Sequence, residues 1–424
     1  MTVGLMVVLF FTFLALGLPI AYCMGLSAIV TLLVEGQIPP LLLAQQFYSS
    51  LDNFALLAVP LFILAGELMN VGGITERLVG FTRSLLGHIK GGLAHANILT
   101  NMFMAAISGS AAADAAAIGS MMIPAMKRDG YRTDFAVAVT ASAALMGPII
   151  PPSIVAVIYG SITGISIGAL LLAGAVPGVI AGFLMMLVAW LMADRVGGRA
   201  SKRATLKELV HATLRVLPAA VMPTIILGGI VTGAFTPTEA AAVAAFYGLV
   251  FGLISRRFTR ESLYDIFSNA ALVSASALIT LAGAGLFSWV LARAGTAEVA
   301  IKALATVTTD PQLALLIILA FLLFLGSLVE TVPALILSAP VLQPIVKTLG
   351  YDPVHFGCLV LMILVVGAVM PPVGIVAMIC CRIGGIAYAR VFTMLLPFVG
   401  VWCTLILLVA YVPILALWLP HQLR

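Results

Sequence analysis

Apolar stretches of helical length follow one another along the chain, separated by short charged clusters. A hydrocarbon core about 30 Å thick takes about 20 apolar residues per helix, and most stretches reach that length. The pattern predicts an all-α polytopic membrane protein. Two features interrupt it. "GPIIPPS" (147 to 153) and "GAVMPP" (367 to 372) set glycine and prolines inside apolar runs, and "AISGSAAADAAAIG" (106 to 119) and "FLGSLVETVPALIL" (324 to 337) hold small and polar residues where bulky apolar ones are expected.

These interruptions repeat. Pro124, Lys127, Gly130, Tyr131, Gly147, Pro151, Pro152 and Pro177 recur 220 positions later as Pro344, Lys347, Gly350, Tyr351, Gly367, Pro371, Pro372 and Pro397. Upstream the register drifts by a few residues and pairs "SGSAAAD" (108 to 114) with "LGSLVET" (325 to 331), and Pro19 with Pro237. The chain reads as a tandem duplication: a first unit over 1–193, a basic linker over 194–215 and a second unit over 216–424.

Lysine and arginine set the orientation. The linker carries Arg195, Arg199, Lys202, Arg203, Lys207 and Arg215; with Lys127, Arg128 and Arg132, and Arg256, Arg257 and Arg260, it is expected on the cytoplasmic side. Residues 34–53 and 160–167 hold no lysine or arginine and are expected outside. Crossings are predicted at 2–16, 19–34, 54–70, 133–160 and 164–192, although one helix broken between Gly17 and Pro19 also fits the first pair. The segment 92–127 is basic at both ends and predicts a re-entrant hairpin. Five crossings make the second unit enter from the opposite face, so the repeats are inverted. Its hairpin is expected at 311–347 and its broken helix at 353–381, matching the broken helix at 133–160.

Composition narrows the function. With 62% hydrophobic and 9% charged residues there is no room for a separate soluble domain. Cys23, Cys358, Cys380, Cys381 and Cys403 lie in apolar segments without metal-ligand spacing and read as small buried hydrophobes. The net charge of +5 reflects loop bias, not nucleic-acid binding. The first stretch lacks the basic region of a signal peptide and is expected to be a retained span. No HExxH, GxSxG or GxxxxGK sequence supports an intramembrane enzyme, and paired opposed gates suit a carrier better than a channel.

Proline removes an amide donor and unwinds the turn before it. Irregular backbone at membrane depth persists only where protein, water or an ion satisfies it. The carbonyls of Gly147, Ile150, Gly367 and Met370 are thereby expected to be freed as oxygen ligands for a hard cation such as Na+. The tips add Ser108, Ser110, Ser327 and Thr331. Asp114 fits a functional role or the capping of the second hairpin arm. Glu330 fits cation binding, tuning of an anion site, or a cap. Thr236 and Glu239 form a capping box with Pro237 at the first helical position, and Thr232 and Thr236 are also candidate cation ligands. Glu67 is expected near a helix end, reaching water or a basic partner. Arg293 fits a carboxylate clamp or an interfacial anchor.

Taken together, "ISGSAAADAAAIGSMMIPAMKRDGY", "GPIIPPS", "GAFTPTEAAA" and "MPPVG" resemble the large, dicarboxylate-type M subunit of tripartite ATP-independent periplasmic (TRAP) transporters over nearly the whole chain. The resemblance implies a bacterial inner-membrane permease with elevator-type motion, driven by a Na+ gradient and using no other cofactor. It implies a soluble periplasmic binding protein delivering a C4-dicarboxylate, sialic acid or another organic acid, and a small four-helix membrane subunit on a separate chain. It places a first Na+ site at Ser108, Gly147, Ile150 and Pro152, a second at Gly367, Met370 and Pro372 with Thr236, and substrate contacts near Ser110, Ser153, Arg293 and Glu330. Ala111 to Ala113 followed by Asp114 depart from the polar residue common after the "SGS" tip. A stand-alone proton- or Na+-coupled carboxylate transporter is the alternative.

Overall fold

The computed structural model describes residues 2–36, 38–198 and 203–422; Arg199 and Lys202 of the basic linker lie outside them. The described residues are helical throughout their regular structure, with no strand. Eight helices among them are long and apolar enough to cross a membrane, including Phe54–Val71, Ile167–Val196, Leu206–Val231, Arg260–Arg293 and Tyr388–Tyr411. This is a multi-pass membrane protein.

Helix ends follow local chemistry. Helix Gly92–Ser108 stops at Gly109, which takes φ +64°, a region that glycine enters without a Cβ penalty. Ser110 then caps Ala111–Arg128, its hydroxyl accepting the Ala113 N–H at 3.4 Å. These helices pack against each other as the first hairpin. The second joins Pro311–Leu328 to Thr331–Leu349 through Val329 and Glu330, and its arms lie chiefly against Pro353–Gly367 and Arg260–Arg293.

The proline runs break helices where expected. Thr133–Ala144 gives way to irregular chain over 145–153 before Ile154–Thr163, and Pro353–Gly367 to irregular chain over 368–374 before Ile375–Gly384. Both breaks carry a cis Pro–Pro peptide, Pro151-Pro152 and Pro371-Pro372. Helices Thr2–Ala15 and Ile20–Glu35 pack side by side, so the chain reverses around Gly17 (φ +82°). Ile20–Glu35 also packs on Arg260–Arg293 through glycines: a Cβ on Gly283 would stand 2.5 Å from the Ala21 carbonyl oxygen. Small residues let membrane helices approach this closely.

Polar contacts sort the loops onto two faces. On one, the amphipathic helix Ile74–Leu86 links Glu76 to Arg257 at 2.9 Å and Arg83 to Asp129 at 3.6 Å. Lys90 meets Asp194 at 2.7 Å, and the Arg132 N–H donates to the Val196 carbonyl at 2.9 Å. On the other, the Asn53 amide donates to the Ser161 carbonyl at 3.2 Å and the Gln343 amide to the Thr163 carbonyl at 2.7 Å. The ends of the first hairpin share the basic face and those of the second reach the opposite one. The hairpins enter from opposite sides, the arrangement of inverted-topology repeats.

Candidate functional site

Each hairpin tip seats on a break so closely that the contact requires glycine. A Cβ on Gly109 would stand 2.6 Å from the Pro152 carbonyl oxygen, and one on Gly147 would stand 3.0 Å from the Ser110 carbonyl carbon and 2.7 Å from Asp114 Oδ2. In the second unit a Cβ on Gly367 would overlap the backbone of Gly326, while one on Gly326 would stand 2.8 Å from the Leu364 carbonyl oxygen.

The tips and breaks enclose one side of a cavity of about 430 Å³, within the size range of small-molecule sites. Four helices begin on it: Ala111–Arg128, Ile154–Thr163, Thr331–Leu349 and Ile375–Gly384 each contribute first-turn residues to its wall. Helix N-termini present unpaired N–H groups and the positive end of the macrodipole, so four converging starts make a ready anion cradle. Two further helices close the other side. Ile63, Gly66, Glu67 and Asn70 face it from Ala58–Val71, and Val273, Ser276, Ala277 and Thr280 from Arg260–Arg293, both at the i, i+3, i+4, i+7 spacing of one helical face.

The structure brings Ser108, Ser110, Ser327, Glu330 and Thr331 together on this cavity. Gly147, Ile150, Pro152, Met370 and Pro372 lie in the breaks and Gly367 is the last helical residue before the second one; their neighbours Pro148, Ala368 and Val373 reach the cavity wall. Ser153 is buried and caps Ile154–Thr163: its hydroxyl accepts the Ala156 N–H at 3.1 Å and donates to the Pro148 carbonyl at 2.5 Å. Among the carbonyls expected to be free, that of Gly367 already accepts the Met370 N–H at 2.9 Å, which leaves it one lone pair. Asp114 is buried, and its Oδ1 accepts the Ser108 hydroxyl at 2.5 Å.

Two candidates stand apart. Thr236 is exposed and caps Pro237–Ile254 in a complete capping box: its N–H and hydroxyl both donate to Glu239 Oε2 at 2.8 Å, and its hydroxyl oxygen accepts the Glu239 N–H. Arg293 is exposed at the end of Arg260–Arg293, 5.8 Å above the Trp289 ring, where the helix C-terminus favours a cation. Neither lines the cavity. Glu67 does: it lies four residues before the end of Ala58–Val71, near a helix end as expected, and faces the cavity. Helical spacing of small and polar residues within apolar runs was the signal for Glu67, Asn70, Ser276 and Thr280.

Apolar spans around a cavity with facing helix breaks define a membrane carrier subunit. The family model described as "Tripartite ATP-independent periplasmic transporter, DctM component" matches residues 7–415, so the chain belongs to that family. It is 37% identical over 410 residues to the sialic acid TRAP transporter large permease protein of Vibrio cholerae, covering 96% of this chain and 95% of that one. It is 35% identical over 405 residues to the C4-dicarboxylate TRAP transporter large permease protein of Pseudomonas aeruginosa, covering 94% of each. The isethionate TRAP transporter permease protein DctMQ of Oleidesulfovibrio alaskensis is 38% identical over 406 residues, which are 95% of this chain and 64% of that one. The crystal structure of the YdaH transporter of Alcanivorax borkumensis superposes with a TM-score of 0.54 at 14% identity, covering 86% of both chains; that likeness concerns the fold. The relatives are named as transporter permease subunits, not enzymes.

Proposed function

We propose that this chain is the large permease of a Na+-coupled, binding-protein-dependent importer of an organic acid in the bacterial inner membrane. The observation that carries the reading is the meeting of both hairpin tips and four helix N-termini on one cavity. The named cargoes of its relatives, sialic acid and C4-dicarboxylates among them, are acids. The charged side chains on the cavity wall are Glu67 and Glu330. A carboxylate there needs compensating positive charge, which helix starts and co-bound cations supply. This makes Na+ binding a precondition for holding the anion, which is the linkage that coupling requires.

Two sites fit Na+, a hard cation that takes oxygen ligands. The first uses Ser108 with the break at Gly147, Ile150 and Pro152; the second uses the break at Gly367, Met370 and Pro372. The fit rests on the glycine-lined contact between each tip and break, where backbone oxygen can approach without a side chain intervening. Thr236 is left to capping and Arg293 to anchoring. Ser110 and Glu330 shape the substrate side, and Ser153, off the cavity wall, holds the start of Ile154–Thr163 in place.

The two units, 1–193 and 216–424, are joined by the linker 194–215, and the basic face is cytoplasmic. The hairpins and broken helices move as one body against a scaffold of the remaining spans, widened by a four-helix small subunit on a separate chain. A soluble periplasmic binding protein delivers the substrate. Asn53 in the scaffold contacts Ser161 on the first broken helix, so an Asn53→Cys/Ser161→Cys pair tests the motion. Oxidative crosslinking should abolish uptake and reduction should restore it; full uptake by verified crosslinked protein would sink the elevator proposal.

A further inference from the structure

The carbonyls of the second break are unequally engaged. That of Gly367 accepts the Met370 N–H at 2.9 Å and that of Ala368 the Val376 N–H at 3.0 Å, both from residues close by in the chain. The Val369 carbonyl instead accepts the Tyr388 hydroxyl at 2.9 Å, across 19 positions. The Met370 and Pro372 carbonyls accept no hydrogen bond from the described residues, which leaves their lone pairs for a cation.

Tyr388 is the first residue of helix Tyr388–Tyr411, and Gly385, Ile386 and Ala387 alone separate it from the second half of the broken helix, Ile375–Gly384, so it follows the break. Its hydroxyl and the Met370 carbonyl border the same glycine: a Cβ on Gly374, which takes φ +56°, would stand 3.3 Å from the first and 3.2 Å from the second. The preceding residue ties the break to the tip, the Val373 N–H donating to the Ser327 carbonyl at 3.4 Å.

The first break is held differently. There Ser153 donates to the Pro148 carbonyl from within the irregular segment itself. At the offset of 220 positions Ser153 corresponds to Val373, which has no hydroxyl, and Tyr388 to Gly168, which has no side chain. The second unit lacks the local hydroxyl and receives one from the next helix. Outside regular helix a carbonyl keeps a fixed direction only where other bonds hold its peptide plane, and partners behind a ligand commonly set its orientation.

We propose that Tyr388 is a positioning residue of the second cation site. By holding the Val369 carbonyl it fixes the adjoining peptide planes, and with them the direction of the Met370 carbonyl; it does not touch the ion. The proposal rests on the Na+-coupled reading above.

The test is equilibrium binding of radioactive Na+ to the full chain, purified with its small partner subunit and held in nanodiscs, with thermal unfolding in Na+-free buffer measured alongside. Tyr388→Phe removes the hydroxyl alone and should raise the half-saturating Na+ concentration about 2–10-fold. Tyr247→Phe is the comparison: it loses a bond of the same kind, to the Pro218 carbonyl at 2.7 Å, at a residue off the cavity wall. It should lower the unfolding temperature and leave Na+ affinity unchanged. Gly374→Ala keeps the tyrosine but crowds its hydroxyl from inside the break; it should weaken Na+ binding as well, and supplies the answer should Tyr388→Phe fail to fold. Wild-type Na+ affinity in folded Tyr388→Phe or Gly374→Ala, or an equal loss in Tyr247→Phe, would overturn the assignment. Absence of saturable Na+ binding in the unaltered protein would overturn the Na+-coupled reading itself, and the role of Tyr388 with it.

Discussion

Replacing Gly367 by alanine tests whether the tip-on-break contact is the structural basis of the second site. The added methyl would overlap the Gly326 carbonyl carbon and stand 2.6 Å from its oxygen and 2.7 Å from its α-carbon. All three atoms are backbone, so no rotamer change relieves the clash and the tip must withdraw. Overpacking of this kind costs about 1–3 kcal/mol, and the helix-propensity gain of alanine over glycine is common to the seated and withdrawn tip and drops out. A cost of about 1–3 kcal/mol lowers the population with the tip seated by about 5–150-fold. Gly400 is the control, because a Cβ there meets no atom within 4 Å in the middle of helix Tyr388–Tyr411. Uptake into proteoliposomes and Na+ half-saturation should both worsen by that factor in Gly367→Ala and stay near wild type in Gly400→Ala. Equal behaviour of the two variants would refute the reasoning, since it would mean that the tip need not seat on the break.

Two further substitutions separate structural from functional roles. Thr236→Ala removes a cap and should lower stability by about 0.5–2 kcal/mol without changing Na+ affinity; weakened Na+ binding in an otherwise folded variant would return Thr236 to the second site. Asn97 is buried, donates to the Thr140 hydroxyl at 2.6 Å and accepts from the Asn101 amide at 2.9 Å. Asn97→Ala should therefore destabilise by about 1–3 kcal/mol, read as a lower unfolding temperature with unchanged Na+ affinity in the protein that remains folded.

The interruptions were the most legible part of the chain. Paired prolines leave little alternative to a break, and Ser108 and Ser110 announce a tip because polar residues are costly inside an apolar run. The opposed entry of the hairpins followed from the five crossings counted in the first unit; in the structure the loop at 127–132, through Asp129, and the loop at 256–260, through Arg257, both meet helix Ile74–Leu86. Residues set by long-range packing were harder to place. Glu67 and Ser276 lie 209 positions apart in the sequence, and only folding puts their helix faces on one cavity. Thr236 and Arg293 offered side chains suited to ligands, but local helix-end interactions account for both: a capping box for one and a C-terminal, ring-stacked position for the other. Asp114 lay between these cases. Its sequence position suited a cap, and its role depended on which neighbour took the Ala113 N–H. Ser110 takes it, which leaves the carboxyl for Ser108 and the break.

The most direct measurement of the central claim is uptake of a labelled organic-acid panel into proteoliposomes holding this chain and its small subunit, with the binding protein added or omitted and with or without an inward Na+ gradient. The account predicts saturable uptake of at least one acid that requires both the gradient and the binding protein. Uptake indifferent to Na+ in vesicles whose components are all demonstrably active would contradict the assignment of the two breaks as cation sites, and uptake without the binding protein would point to a stand-alone carrier.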